Sequence, residues 1–323
     1  MSAIRPYLSI LVTVALLALA VSLAQSNTLA NAIVTAMIVA IAGYGWNLLG
    51  GYAGQFSFGH AAFFGAGAYV DAVLQTRYGI NAYVAFALAV LSGSLVGLII
   101  GYLSFRAGLR GSYFALVTLA FAEVLRILAN ASPITGGAAG TLIKLDVSPA
   151  NFQFQSRLPY LWITLAFVAF AMVLTRAIER RRFGAYLVAV RENETAARAL
   201  GVDVFAVKLR AIVISAGLTA LAGAFYAQYF LFVDASIGFG PWISIEALMG
   251  PIVGGLGTVF GPLFGALALH FLGEFARNVA GRIPGVDLAL FGVLLILVVA
   301  LAREGLQGLA LKLGRRWRAA RPA

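Results

Sequence analysis

The chain has 323 residues, of which 62% are hydrophobic and 11% charged, against roughly 45–50% and about 25% in a soluble domain. That excludes a water-soluble globule: once roughly ten spans of about 20 residues are set aside, the remainder is too short and too scattered to fold with its own aqueous core. The net charge of +11 bears first on orientation in a membrane and not on nucleic acid, and the lack of cysteine excludes disulfides, thiolate catalysis and cysteine-ligated metals.

Arg5 precedes the first apolar window, at about 7–24, where Ala18 and Ala20 form only a weak peptidase-like site. Further windows follow at about 29–49, 61–75, 80–103, 111–130, 159–178 and 209–233. Between them, the stretch from about 131 to 158 holds Pro133, Gly136, Gly137, Gly140 and Pro149 and reads as an outer loop with little regular structure. Eight basic residues lie between Arg176 and Arg210, so the loop at about 179–208 belongs in the cytoplasm, as does the tail at about 303–323 with six more. Two cytoplasmic segments require an even number of crossings between them. The apolar stretch 242–272 is longer than one span and is interrupted by Gly254, Gly255 and Gly257, so it is split there, and a final run follows from Val286 to Ala302. The expectation is an all-α, polytopic membrane protein: one transmembrane domain over 1–323, about ten spans, both termini cytoplasmic. Nine spans with the tail outside is the alternative.

The chain contains no Gly-x-x-x-x-Gly-Lys-[Ser/Thr], no Gly-x-Ser-x-Gly and no His-Glu-x-x-His, so neither nucleotide hydrolysis nor a recognisable catalytic centre is expected on it. His60 and His270 are too few for a histidine-rich metal site. Three segments carry polar groups in informative places. From Gly50 to Gly67 the chain is glycine-rich and includes Gln55, Ser57 and His60. It reads either as a helix interrupted beside a water-filled pathway or as tight packing through small residues, with the polar groups bonded to neighbouring carbonyls. A weaker echo runs from Gly254 to Ala266, as in transporters built from repeated halves. In the window 111–130, Thr118, Glu123 and Arg126 interrupt an apolar helix. Glu123 either faces a pathway or pairs with Arg126 three residues on. Finally, Asn193 can cap a two-turn helix that starts at Glu194 and stops at Gly201, with Ala196, Ala197 and Leu200 as a small ridge that either docks in a partner's groove or lies on the membrane surface.

The stretch Gly54-Gln55-Phe56-Ser57-Phe58-Gly59-His60 and its continuation to Gly65, the run from Arg110 to Glu123, and the loop from Arg191 to Gly201 together resemble the permeases of bacterial branched-chain amino acid ABC transporters, and within them the M-type subunit. The resemblance extends through Ser215 to Gly223 and Gly254 to Pro262 and so covers most of the chain. It implies an ABC-importer permease fold in a bacterial inner membrane, in contact with lipid and not nucleic acid. The implied partners are a homologous H-type permease, two cytoplasmic ATPase subunits that carry the ATP and magnesium, and a periplasmic binding protein. No cofactor and no enzymatic activity are implied on this chain.

The resemblance assigns coupling to the ATPase to Arg191, Glu192, Asn193, Glu194, Ala197, Leu200 and Gly201, and the transport path to Gln55, Ser57, His60, Thr118 and Glu123. The chain departs from the general ABC-importer loop in having Thr195 where that pattern has glutamate, with Glu194 displaced by one. The implied cargo is branched-chain or related hydrophobic amino acids. A urea or short-amide permease shares the architecture. A stand-alone channel or secondary transporter would need an unpaired carboxylate in a span, for which Glu123 is the candidate.

Overall fold

The computed structural model describes residues 5–22, 26–280, 286–301 and 305–308. A helix occupies each of the ten expected windows. In chain order they begin with α1 (Arg5–Ser22), α2 (Asn27–Trp46), extended by a π-turn over Asn47–Tyr52, α3 (His60–Tyr78), α4 (Ala82–Arg106), α5 (Gly111–Ala131) and α6 (Leu158–Glu179). Two short helices, α7 (Arg182–Glu192) and α8 (Glu194–Ala199), precede the long α9 (Val204–Phe230). After α10 (Ala235–Gly238), the stretch treated as two elements is two helices, α11 (Pro241–Gly254) and α12 (Gly261–Ala280), and α13 (Val286–Leu301) follows. Among the described residues, six helical segments are long and apolar enough to cross a membrane: α2 with its π-turn, α4, α5, α6, α9, and α10 with α11. The count of ten is therefore met by helices and not by uniformly apolar spans. α13 has only 16 residues, and α3 carries Asp71, Gln75 and Arg77. Most of the basic tail lies outside the described residues.

Side-chain contacts fix which helix ends lie together. At one end, Arg157 Nη1 donates to the Asn27 carbonyl (2.6 Å), Arg77 Nη2 to that of Pro133 (2.9 Å) and Tyr83 Oη to that of Pro149 (2.6 Å). A two-residue antiparallel pair, β1 (Thr141–Leu142) with β2 (Phe232–Val233), ties the loop 132–157 to the end of α9. This is the loop end. At the other, basic end lie α7, α8 and both glycine-rich breaks. Asn47 reaches across at this end to receive Gly257 N–H (2.8 Å) and to donate to the Thr258 carbonyl (2.9 Å). The stretch 241–280 thus runs from the loop end to the basic end and back, which is the double passage expected of it.

α9 is the central post, packed against α2, α3 and α4. Its approach to α4 depends on missing side chains: a Cβ on Gly93 would stand 2.1 Å from that of Ala220, and one on Gly97 2.4 Å from that of Ala216. Small residues let backbones close in where lipid offers no hydrophobic drive between helices. Outward faces of α4 and α5 carry Leu91, Leu95, Leu116 and Ile127, all exposed, as a lipid- or partner-facing surface requires. Local signals set the helix starts: the Asn81 side chain receives Tyr83 N–H at 3.0 Å and Asp203 receives Ala206 N–H at 3.0 Å, while Pro241 opens α11.

Candidate functional site: a short capped helix, the glycine break and a cavity at the loop end

α8 is assembled as its sequence reads. Asn193 Oδ1 receives the N–H groups of Thr195 (2.9 Å) and Ala196 (3.0 Å), and Gly201, with φ of +84°, stops the helix. Its side chains divide into two sets. Glu194 turns inward, with Oε1 2.7 Å from Lys208 Nζ and Oε2 3.3 Å from Arg110 Nε. Gln55 Nε2 comes to 3.5 Å from the same Oε1, at the limit of hydrogen-bond distance. One carboxylate therefore joins α8 to the start of α9, the residue ahead of α5, and the glycine break. Lys208 is held from the other side by the Phe105 ring, 4.8 Å from its centroid. Ala197 is also turned in and buried, so it leaves the outward ridge to Ala196, Ala199 and Leu200. Leu200 is 84% exposed. Arg191 Nη1 donates to the Gly51 carbonyl of the π-turn (2.9 Å), while its Nη2 pairs with Glu192 (2.8 Å).

The break at 53–59 is closed by its own polar groups. Trp46 Nε1 donates to the Ser57 carbonyl (2.8 Å), Ser57 Oγ receives Gly59 N–H (3.2 Å), and Thr118 Oγ1 receives Phe58 N–H (3.2 Å). Ser215 Oγ gives its single proton to the Gly45 carbonyl (2.6 Å), so its contact of 2.9 Å with His60 Nε2 is one in which the imidazole donates. Gln55, Ser57, His60 and Thr118 are all buried. The structure brings these four together with α8 and leaves Glu123 apart. Glu123 forms an ion pair with Arg126, with contacts of 2.6 and 2.9 Å, on the half-exposed side of α5.

A cavity of about 710 Å³ lies elsewhere, at the loop end between α2, α11, α12 and α13. None of the five path candidates lines it. Its polar wall includes Glu246, His270, Asn31 and Thr35, with Glu274 and Arg277 at its side. Glu246, like the buried Asp71 of α3, corrects the expectation that Glu123 alone offers a carboxylate in a span. The signal is an acidic residue four positions after Trp242, inside the apolar stretch 242–272. Among the described residues no group of three His, Asp or Glu side chains could hold a metal ion.

A bundle of membrane-length apolar helices with a short capped helix at its basic end is a multi-pass membrane protein. The chain belongs to the family described as branched-chain amino acid transport system, permease component, which matches residues 28–299. It is 30% identical over 321 residues to the high-affinity branched-chain amino acid transport system permease protein LivM of Escherichia coli, covering 91% of this chain and 73% of that protein. It is also 25% identical to BraD of Pseudomonas aeruginosa, a permease protein of the same description, over 87% of this chain and 94% of the relative. A tyrosine transport system permease protein of Clostridioides difficile matches at 25% identity over 50% of the chain and 52% of the relative. No solved structure matches it.

Proposed function

We propose that the chain is the permease half of an ATP-driven importer of branched-chain or related hydrophobic amino acids, working with an H-type permease, two ATPases and a binding protein. One observation carries the reading: α8 is braced from within by Glu194 and Lys208 and holds Leu200 outward, bare, at the basic end. A two-turn helix is too short to persist alone, and here tertiary contacts hold it ready for a groove on another chain. Arg106, Arg110, Arg176, Arg180, Arg181, Arg182 and Arg198 share that end or its loop, which favours the cytoplasmic side. The loop end, with exposed Leu142 and Leu145, then faces the binding protein.

On this reading the ATPases move α8, and the movement reaches the glycine break through Glu194, Gln55 and the Arg191–Gly51 contact. Access alternates because the two states make different contacts there. Gln55, Ser57, His60 and Thr118 gate the inner side, and Glu123 lies on the face of α5 turned toward the second permease.

Reconstitution with the neighbouring permease, ATPases and binding protein tests this by ATP-dependent uptake of labelled leucine, phenylalanine and urea. Uptake of leucine that vanishes without the ATPases is expected. Uptake by this chain alone overturns the reading. Leu200→Asp places a charge at the docking surface and is expected to abolish co-purification with the ATPases while leaving the melting temperature unchanged; unaltered assembly counts against α8 as the docking element.

A further inference from the structure

The geometry points to a binding site at the loop end for a primary ammonium group carried on an apolar body, with the Glu246 carboxylate as its counter-ion. Three observations meet in the 710 Å³ cavity. First, its size falls within the roughly 300–1,000 Å³ of small-molecule pockets. Second, its charge is unbalanced. The charged residues of its wall are Glu246, Glu274 and Arg277, and Arg277 is already taken by Glu274 at 2.5 Å. Among the described residues Glu246 has one hydrogen bond, from Trp242 Nε1 to Oε1 at 2.8 Å, and no ion pair. A carboxylate within a membrane segment is costly and is ordinarily paired or turned to a water-filled cavity. Here the cavity offers room, and among the described residues of its wall no cation is left over for Glu246.

Third, acceptors and apolar surface are arranged to suit an amphiphile. Asn31 Oδ1 is occupied by Tyr229 Oη (2.9 Å) and Thr35 Oγ1 donates to the Asn31 carbonyl (2.9 Å), so the Thr35 oxygen keeps its acceptor capacity beside Glu246. Val39, Met249, Leu269 and Phe291 form the apolar wall. An anion would meet Glu246 unpaired, and a neutral hydrocarbon would strand it. An ammonium satisfies it, and an aliphatic or acyl chain covers the rest.

Two sources share this chemistry: an amino acid and the ethanolamine headgroup of a phospholipid. Only the amino-acid source rests on the importer reading. The full-length chain is placed in nanodiscs of phosphatidylcholine, which has no primary amine, and binding of leucine is measured by titration calorimetry. Phosphatidylethanolamine retention is measured in parallel by native mass spectrometry. We expect one of the two ligands to bind and to weaken at least tenfold in Glu246→Gln, with Asp146→Asn, in the loop 132–157, as an unaffected control. Loss of leucine binding identifies the amino-acid source, and loss of lipid retention with leucine unaffected identifies the headgroup.

Glu246→Asp keeps the charge and is expected to retain part of the affinity, which separates charge recognition from misfolding. Wild-type affinity for both ligands in Glu246→Gln, or no binding of either to the wild type, overturns the proposal. Binding is read without ATPases or flux, so a failure of ATP-dependent uptake would overturn the importer reading and leave this result standing.

Discussion

The glycine break at the basic end and the cavity at the loop end contain the same kinds of side chain, and the protein treats them in opposite ways. At the break, Ser57, Thr118 and His60 Nε2 are buried and spent on backbone or side-chain partners, His60 Nδ1 is buried without one, and the glycines bring backbone into the space beside them. At the cavity, Glu246 and Thr35 keep unused valence around open volume. Polar residues inside a membrane bundle thus announce either a lock or a receptor, and room together with unpaired groups distinguishes the two. Burial alone does not.

The widest separation between the regions is expected from adding volume. A Cβ on Gly59 would stand 2.2 Å from the Thr118 carbonyl oxygen, a backbone atom that cannot move aside. Gly59→Val is therefore expected to abolish monodisperse protein on size exclusion, beyond the about 1–3 kcal/mol of ordinary overpacking. Lys208→Met comes next. It leaves Glu194 short of its buried partner, and breaking such a pair costs about 3–5 kcal/mol; a fall in melting temperature together with weakened ATPase assembly is expected, and an unchanged melting temperature would show that Arg110 alone suffices. His60→Ala should cost about 3 kcal/mol from the void and the lost hydrogen bond to Ser215, read by denaturant or thermal unfolding in detergent.

The same enlargement at the other region is expected to be mild: Ala32→Leu projects into the cavity and should change stability by under about 1 kcal/mol while competing with any ligand there. A loss as large as that of Gly59→Val would mean the cavity is not open volume. Smallest of all, Glu123→Gln should leave the melting temperature unmoved, because the pair with Arg126 is half exposed.

Much of this was legible in the residues. Asn193 as cap, Gly201 as stop, the double passage at Gly254–Gly257 and the windows of all ten helices follow from local chemistry: side-chain oxygens for orphan N–H groups, glycine where φ is positive, and charge that fixes the sides. What stayed hidden was tertiary. Ala197 and Leu200 are both apolar and three apart, yet one is buried and the other bare, because Glu194 is drawn to Lys208 and sets the rotation of the whole turn. The cavity was equally hidden, since its walls join the start of α2 to residues more than 200 positions later. The two glycine segments also meet in space, as their sequence does not show: Asn47, beside the first, holds Gly257 and Thr258 of the second.

One helix links these places. α9 is an unbroken run of 27 residues, about 40 Å long, while the hydrocarbon layer is about 30 Å. Lys208 near its start holds α8 through Glu194, and Gln228 near its end donates to the carbonyls of Asn151 (2.8 Å) and Phe152 (3.3 Å) in the loop at the far side. A rigid rod of that length tilted by about 5° about its middle would swing each tip by roughly 2 Å, in opposite senses. Any tilt of α9 would therefore carry the contact at Lys208 and the contact at Gln228 in opposite directions.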